Sequence, residues 1–175
     1  MTAPHPPFRI GHGYDLHRLE PIAPAGPGRP FILGTLILEH PLGPVAHSDG
    51  DALLHAITDA LLGALALPDI GQLFPETDPK WKDADSRRFL VEAARLIRER
   101  GWDIGNLDCT VILEKPKLRP HKDAMRARIA ALLEIESEKI NIKGKTHESL
   151  DALGEGRGVE VHVAALLVRK NEGAA

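Results

Sequence analysis

Cysteine is almost missing from this 175-residue chain: Cys109 is the only one. An internal disulfide is therefore excluded, and a reducing, cytoplasmic setting is expected. Cys109 falls in a predicted strand (Cys-Thr-Val-Ile-Leu), where a small buried core residue is its expected role. Long apolar runs are also lacking. None approaches the length that crosses a bilayer, and the N-terminus has no charged head followed by an apolar stretch, so no membrane partner is expected. Excess positive charge is the third absence. A formal net charge of −3 excludes a broad nucleic-acid footprint, since phosphate backbones demand clustered Lys and Arg. A local basic patch for a small phosphorylated ligand remains open. No Ser-His-Asp or Cys-His arrangement stands out.

Hydrophobic residues make up 43% and charged residues 27%, the balance of a water-exposed globular chain with one substantial core. Residues 1–7 hold three prolines and little that packs, which predicts a disordered leader. Residues 8–170 read as one domain, and 171–175 as a tail. A strand is predicted over about 8–18, a Pro/Gly-rich loop over 20–30, and a second strand over 31–39. A helix is predicted to start at Ser48, with Asp51 completing a capping box, and to end before Pro68. Residues 69–85 read as a long loop, of the kind that often carries function. Further helices are expected over about 86–100, stopped by Gly101, and 120–134. Strands are expected over 106–114, 139–145 and 159–169. This order predicts an α+β fold, with one mixed sheet and helices packed on a face.

Asp15 and His17 are two residues apart, so on a strand they share a face while Leu16 points away. Carboxylate and imidazole are both common zinc ligands, but such a pair taken alone is more often simply solvated. Asp51, His55 and Asp59 recur every four residues and line one stripe of an otherwise apolar helix. His55 either pairs with Asp59 or completes a metal site, with Asp59 or another acid orienting its second nitrogen. Three protein ligands would leave one position open, as in catalytic rather than structural zinc.

His47-Ser48-Asp49-Gly50 precedes that helix, where free amides and the dipole favour an anion. Asp49 and Asp51 oppose this unless they are turned away or bridged by a cation. Lys115-Pro116-Lys117-Leu118-Arg119 sets three cations on a stiff turn. Lys143 to Glu148 follows a strand but lacks P-loop spacing. Gly154-Glu155-Gly156-Arg157-Gly158 is a glycine-rich turn without the dinucleotide fingerprint.

Together these segments resemble the 2-C-methyl-D-erythritol 2,4-cyclodiphosphate synthase family. The resemblance is carried by Arg9 to His17, His47 to Gly63, Asp69-Ile70-Gly71, Phe74 to Pro79, Ala84-Asp85-Ser86-Arg87, Pro116-Lys117-Leu118, and Thr146 with Glu148. It implies a two-layer sandwich: a mixed four-stranded sheet, helices on one face and a small β-hairpin. It also implies a homotrimer with active sites between subunits. The implied zinc ligands are Asp15, His17 and His55, and Glu148 is the implied ligand of a second ion, magnesium or manganese. The implied substrate contacts are Asp15, His17, His47 and Ser48 at the phosphates, then Asp69, Ile70 and Gly71 at the ribose. Phe74, Pro75, Glu76, Thr77 and Asp78 match a mobile loop over the erythritol. Leu113, Glu114, Lys115, Pro116, Lys117, Leu118 and Arg119 match the segment that holds cytosine and phosphates. Lys145, Thr146, His147 and Glu148 close the set, with His47 and Thr146 implied to steady the transferring phosphate.

The implied reaction closes a cyclic diphosphate from a cytidine diphosphate ester and releases CMP. A zinc-dependent phosphate-ester hydrolase and a non-enzymatic isoprenoid-phosphate-binding trimer are the alternatives. Two departures stand out. Glu155 and Arg157 exchange places relative to the Gly-Arg-Gly-Glu-Gly of many members, whose Arg and Glu line a central cavity. Lys145 and His147 replace hydroxyl residues found in many relatives.

Overall fold

A computed structural model describes residues 6–170. Residues 1–5 of the expected leader and the whole 171–175 tail lie outside the described residues. The elements run β1 (Phe8–Pro21), β2 (Ile32–Leu33), β3 (Leu36–Ile37), β4 (Leu42–Pro44), α1 (Ala52–Ala64), α2 (Ile70–Leu73), α3 (Arg87–Glu99), β5 (Trp102–Ile112), α4 (Lys122–Leu133), β6 (Ile140–Lys145), α5 (Asp151–Gly154) and β7 (Gly158–Arg169).

The main sheet has the order β4-β1-β7-β5-β6. β7 is antiparallel to both β1 and β5, while β5 and β6 run parallel, which makes the sheet mixed as expected. The three-residue β4 extends the four long strands by pairing with the end of β1. α1 packs on β1 and β7, α3 on α1 and β5, and α4 on α3 and β6. On β7 this buries Val159, Val161, Val163, Ala165 and Leu167, the alternate residues that face the helices. The opposite face stays open, with Phe8, Ile10, Tyr14, Leu16 and Val168 exposed.

α1 is the central helix. Leu53, Leu54, Ile57, Leu61 and Leu62 are inaccessible or nearly so, and each such burial contributes about 1.5–3 kcal/mol. The helix lies against β1 at backbone distance because Gly11 and Gly13 carry no side chain. A Cβ on Gly11 would stand 1.9 Å from the Ala60 carbonyl oxygen.

Four local expectations are corrected. Residues 31–39 are not one strand but the β2–β3 hairpin. Gly34 and Thr35 turn the chain with φ of 55° and 67°, the two-residue geometry that hairpins favour. The Asp51 carboxylate fixes that turn by accepting the Gly34 and Thr35 amides at 2.9 and 2.7 Å. α1 starts at Ala52, capped by Asp51, whose side chain accepts from the Leu54 amide. Ser48 is not the cap: its hydroxyl lies three residues before Asp51 and accepts the Gly50 amide instead of a helix amide. The 69–85 segment is not structureless. Asp69 and Gln72 form a capping box on α2, and Asp78 caps a 3-10 turn at Pro79–Trp81. Finally, the short α5 occupies a stretch where no helix was expected.

Candidate active site

Alternation along β1 aims Asp15 and His17 towards α1, and the close approach of α1 delivers His55 between them. The Asp15 Oδ2 atom is 3.1 Å from His17 Nε2 and 3.0 Å from His55 Nδ1, and the two nitrogens are 3.4 Å apart. Ligand atoms about 2.0–2.1 Å from a tetrahedral ion are separated by about 3.3 Å, so the three atoms fit one divalent cation. Burial pushes the Asp15 carboxyl up, but hydrogen bonds and positive charge from His17 and His55 overcome it and hold the acid well below the usual carboxylate range. Burial pulls His55 down, and Asp15 overrides it to raise the imidazole. The cluster attracts positive charge. A carboxylate and two imidazoles converging on one point form a group that can hold a metal ion.

His55 does not pair with Asp59. Asp59 accepts the Ile70 amide at 2.8 Å, which ties α2 to α1. Burial raises its carboxyl, and the Ile70 bond offsets part of that. The second nitrogen of His55, Nε2, instead meets Ser86 Oγ at 2.7 Å and Ser48 Oγ at 3.2 Å. Ser86 in turn donates its hydroxyl and its backbone amide to Asp49. The two acids that would repel an anion at the start of α1 are thus turned away. Asp49 faces Ser86, and Asp51 is sealed under the β2–β3 turn. Full burial raises the Asp51 carboxyl despite its three amide donors.

Beside the triad lies a cavity of ≈ 500 Å³. It is lined by His17, His47, Ser48 and His55, by Ile70, Gly71, Phe74, Pro75, Glu76 and Thr77, and by Trp81 and Phe89. The Nε2 atom of His47 is buried and has no hydrogen-bond partner among the described residues, which leaves it able to meet a ligand. Phe74 packs against both Trp81 and Phe89, with ring centroids 5.0 and 4.6 Å apart, giving the cavity an aromatic wall. Sequence reasoning did not place Trp81 or Phe89 on the cavity wall, and it did not foresee the bonds of Asp49 and Ser86 behind His55. Arg29 was also missed within its proline-rich loop. It donates to the carbonyls of Ala46 and His47 and pairs with Asp83, bracing the cavity rim.

The remaining expected contacts gather elsewhere. Leu113, Lys117, Leu118, Arg119, Lys145, Thr146 and Glu148 line a second cavity of ≈ 700 Å³ together with Lys122 and Gly144. Within it Thr146 Oγ1 donates to Glu148 Oε1 at 2.6 Å. Several expected residues line neither cavity. Asp69 and Asp78 cap their helical turns, and Glu114 accepts the His147 amide. The His147 ring pairs with Asp151, while Lys115 and Pro116 sit on the turn between β5 and α4. One chain therefore places most of the expected substrate contacts in two separate cavities and the rest outside both.

The YgbB family pattern matches residues 8–168. A chloroplastic 2-C-methyl-D-erythritol 2,4-cyclodiphosphate synthase of Arabidopsis thaliana is 54% identical over 164 residues, which is 94% of this chain and 68% of the relative. The synthase of that name from Synechococcus elongatus is 56% identical over 162 residues, covering 93% of this chain and 98% of the relative. The IspF structure from Plasmodium falciparum, solved as a CDP complex, superimposes with a TM-score of 0.81 at 36% identity, covering 94% of this chain and 97% of that one. On this agreement of sequence, fold and site, the chain belongs to the YgbB family, that of the 2-C-methyl-D-erythritol 2,4-cyclodiphosphate synthases.

Proposed function

We propose that this protein converts 4-diphosphocytidyl-2-C-methyl-D-erythritol 2-phosphate into the 2,4-cyclic diphosphate and CMP, a step of non-mevalonate isoprenoid biosynthesis. The observation that carries this reading is the convergence of Asp15, His17 and His55 on one point beside the His47–Ser48 cavity wall. An oxygen of the 2-phosphate attacks the β-phosphorus, the bond from that phosphorus to the bridging oxygen breaks, and CMP leaves with the bridging oxygen. The work is positioning and charge neutralisation, with no nucleophilic side chain required.

Residues 8–170 form the synthase domain, a reading supported by the family similarity over residues 8–168. Asp15, His17 and His55 hold zinc, and Glu148 holds magnesium or manganese. These ions neutralise and orient phosphate oxygens when bound. His47, through its unpartnered Nε2, and Ser48 contact phosphate from one side. Thr146 steadies the transferring group, oriented by its hydrogen bond to Glu148. The Lys117–Arg119 turn and Lys145 supply cations for the diphosphate and CMP portion, the chemistry that the CDP complex of the Plasmodium protein suggests. Asp69 to Gly71 hold the ribose, and Phe74 to Asp78 cover the erythritol. Lys115, Pro116 and His147 complete the nucleotide side.

The two cavities belong to one active site shared by neighbouring subunits of a homotrimer. Support comes from the open face of the sheet, where Ile10 is 71% exposed in the isolated chain among other apolar side chains, a surface that calls for a partner. A reducing cytoplasm suits the single buried thiol.

Incubation of the zinc- and magnesium-loaded protein with the cytidylyl substrate should yield CMP and the cyclic product in equal amounts. No CMP, or release of a linear phosphate instead of the cyclic diphosphate, would overturn this assignment.

A further inference from the structure

His55 presents Nδ1 to Asp15 and His17, so a metal at that point needs the Nδ1 lone pair and a proton on Nε2. What sets this tautomer lies on the far side of the ring. Ser86 Oγ is 2.7 Å from Nε2 and is fully buried. Its own proton is committed to Asp49, because an ionised carboxylate only accepts. The hydroxyl is therefore left as an acceptor towards His55. Asp49 also accepts the Ser86 amide at 3.0 Å and the Asp51 amide at 3.2 Å. Both of its oxygens are engaged, and the side chain cannot rotate without losing bonds.

We propose that Asp49 and Ser86 are a positioning pair that holds the His55 proton on Nε2, so that Nδ1 can exchange its hydrogen bond to Asp15 for a metal ion and capture at the triad depends on them. This inference rests on the metal reading of Asp15, His17 and His55. Ser48 does not duplicate the arrangement. Its oxygen is farther from Nε2, it accepts the Gly50 amide, and no carboxylate among the described residues accepts its proton.

The pair also has a second consequence. Backbone bonds run from Asp49 N to Ala84 O and from Asp83 N to His47 O. They lace the strip before α1 to the end of the 69–85 segment that walls the cavity. Ser86 is where that segment meets the metal centre, so the wall and the imidazole are set by one group of hydrogen bonds.

The two substitutions act differently. Ser86→Ala removes the acceptor and leaves Nε2–H without its closest partner. Asp49→Asn keeps the volume but replaces one acceptor oxygen by a donor. If the remaining oxygen holds the Ser86 amide, the new NH2 faces Ser86 Oγ. The hydroxyl, no longer donating to residue 49, can donate to His55 Nε2 instead, which removes the Nε2 proton and leaves the ring's proton on Nδ1 against Asp15.

The test is zinc affinity of the full chain, measured by competition with a chromogenic chelator, alongside the 15N signature of the His55 tautomer. Wild type should bind one zinc at the triad, and His55→Ala should abolish that site. Ser86→Ala and Asp49→Asn should each lose about 10–100-fold in affinity, and Asp49→Asn alone should lose the proton on His55 Nε2 that wild type keeps. Wild-type affinity in both variants, with an unchanged His55 signature, overturns the positioning pair while leaving the metal site intact. Failure of wild type to bind zinc overturns the metal reading itself. If Ser86→Ala does not fold, the near-isosteric Asp49→Asn carries the test.

Discussion

A Cβ placed on Gly13 would stand 1.8 Å from the Ala56 carbonyl oxygen and 2.7 Å from the Ala60 amide nitrogen. Both obstacles are helix backbone, so no rotamer change can relieve them. Gly13→Ala must push α1 off β1, and His55, the residue before Ala56, moves with it. Overpacking of this kind costs about 1–3 kcal/mol, and rigid neighbours place this site at the upper end. Gly13→Ala should lower the urea midpoint and weaken zinc binding together. A variant that unfolds like wild type and binds zinc equally well would show that α1 need not sit so close.

Gly13 also illustrates what the sequence discloses. Strand alternation put Asp15 and His17 on one face, and four-residue spacing put His55 on a helix stripe, but neither says that the strand and the helix touch. Only Gly11 and Gly13, both on the face of Asp15, hint at a helix pressed against that strand. The long helices and strands were legible because their apolar periodicity is strong. The β2–β3 turn was not, since it depends on Asp51, sixteen residues beyond Thr35, accepting two amides. Asp49 and Ser86 were hidden for the same reason: a hydrogen bond between residues 37 positions apart leaves no local pattern. The division of substrate contacts between two cavities is likewise a property of the folded chain alone.

Cys109 yields a prediction about pH. Burial under the helices pushes its thiol from the ordinary 9.0 up to about 12. The unfolded chain releases this proton first, so the folded state binds more protons between those values. The contribution is therefore fully present below about pH 9 and is lost as pH rises towards 12, with a slope approaching about 1.4 kcal/mol per pH unit. Urea unfolding between about pH 8.5 and 10.5 should show a steeper loss in wild type than in Cys109→Ala. At neutral pH the native thiol should resist Ellman's reagent until the protein is unfolded. Rapid native labelling would contradict its burial.

Arg29 braces the cavity from outside the family motifs. It donates to the Ala46 carbonyl at 2.8 Å and reaches the His47 carbonyl and Asp83. Hydrogen bonds from a charged donor contribute about 1.5–3 kcal/mol, so Arg29→Ala should destabilise measurably. It should also raise KM several-fold with a smaller change in kcat, because the rim loses the bond to the Ala46 carbonyl and one of the two donors on the His47 carbonyl while the triad is untouched. Asp83→Ala should do much less, since that carboxylate is exposed and solvent-screened. Steady-state kinetics and thermal melts of the two variants separate these effects. Equal behaviour would mean that the ion pair, rather than the carbonyl bonds, anchors the rim.

Subunit sharing makes the most demanding prediction. His55 belongs to the first cavity and Glu148 to the second, and one chain keeps those cavities apart. If each active site joins the first cavity of one subunit to the second cavity of its neighbour, His55→Ala and Glu148→Ala should each be nearly inactive alone. When the two variants are unfolded together and refolded as an equal mixture, some interfaces will bring two intact halves together. Random assembly in a closed ring makes that fraction about one quarter of all sites, so activity should recover to about a quarter of wild type. Refolding each variant separately and then mixing should recover far less if subunits exchange slowly. A co-refolded mixture as inactive as its parents, at the same oligomeric size, would place the whole site within a single chain. Replacing Ile10 by Asp on the open sheet face should disperse the assembly and remove activity while Asp15, His17 and His55 still bind zinc, because those three ligands come from one chain.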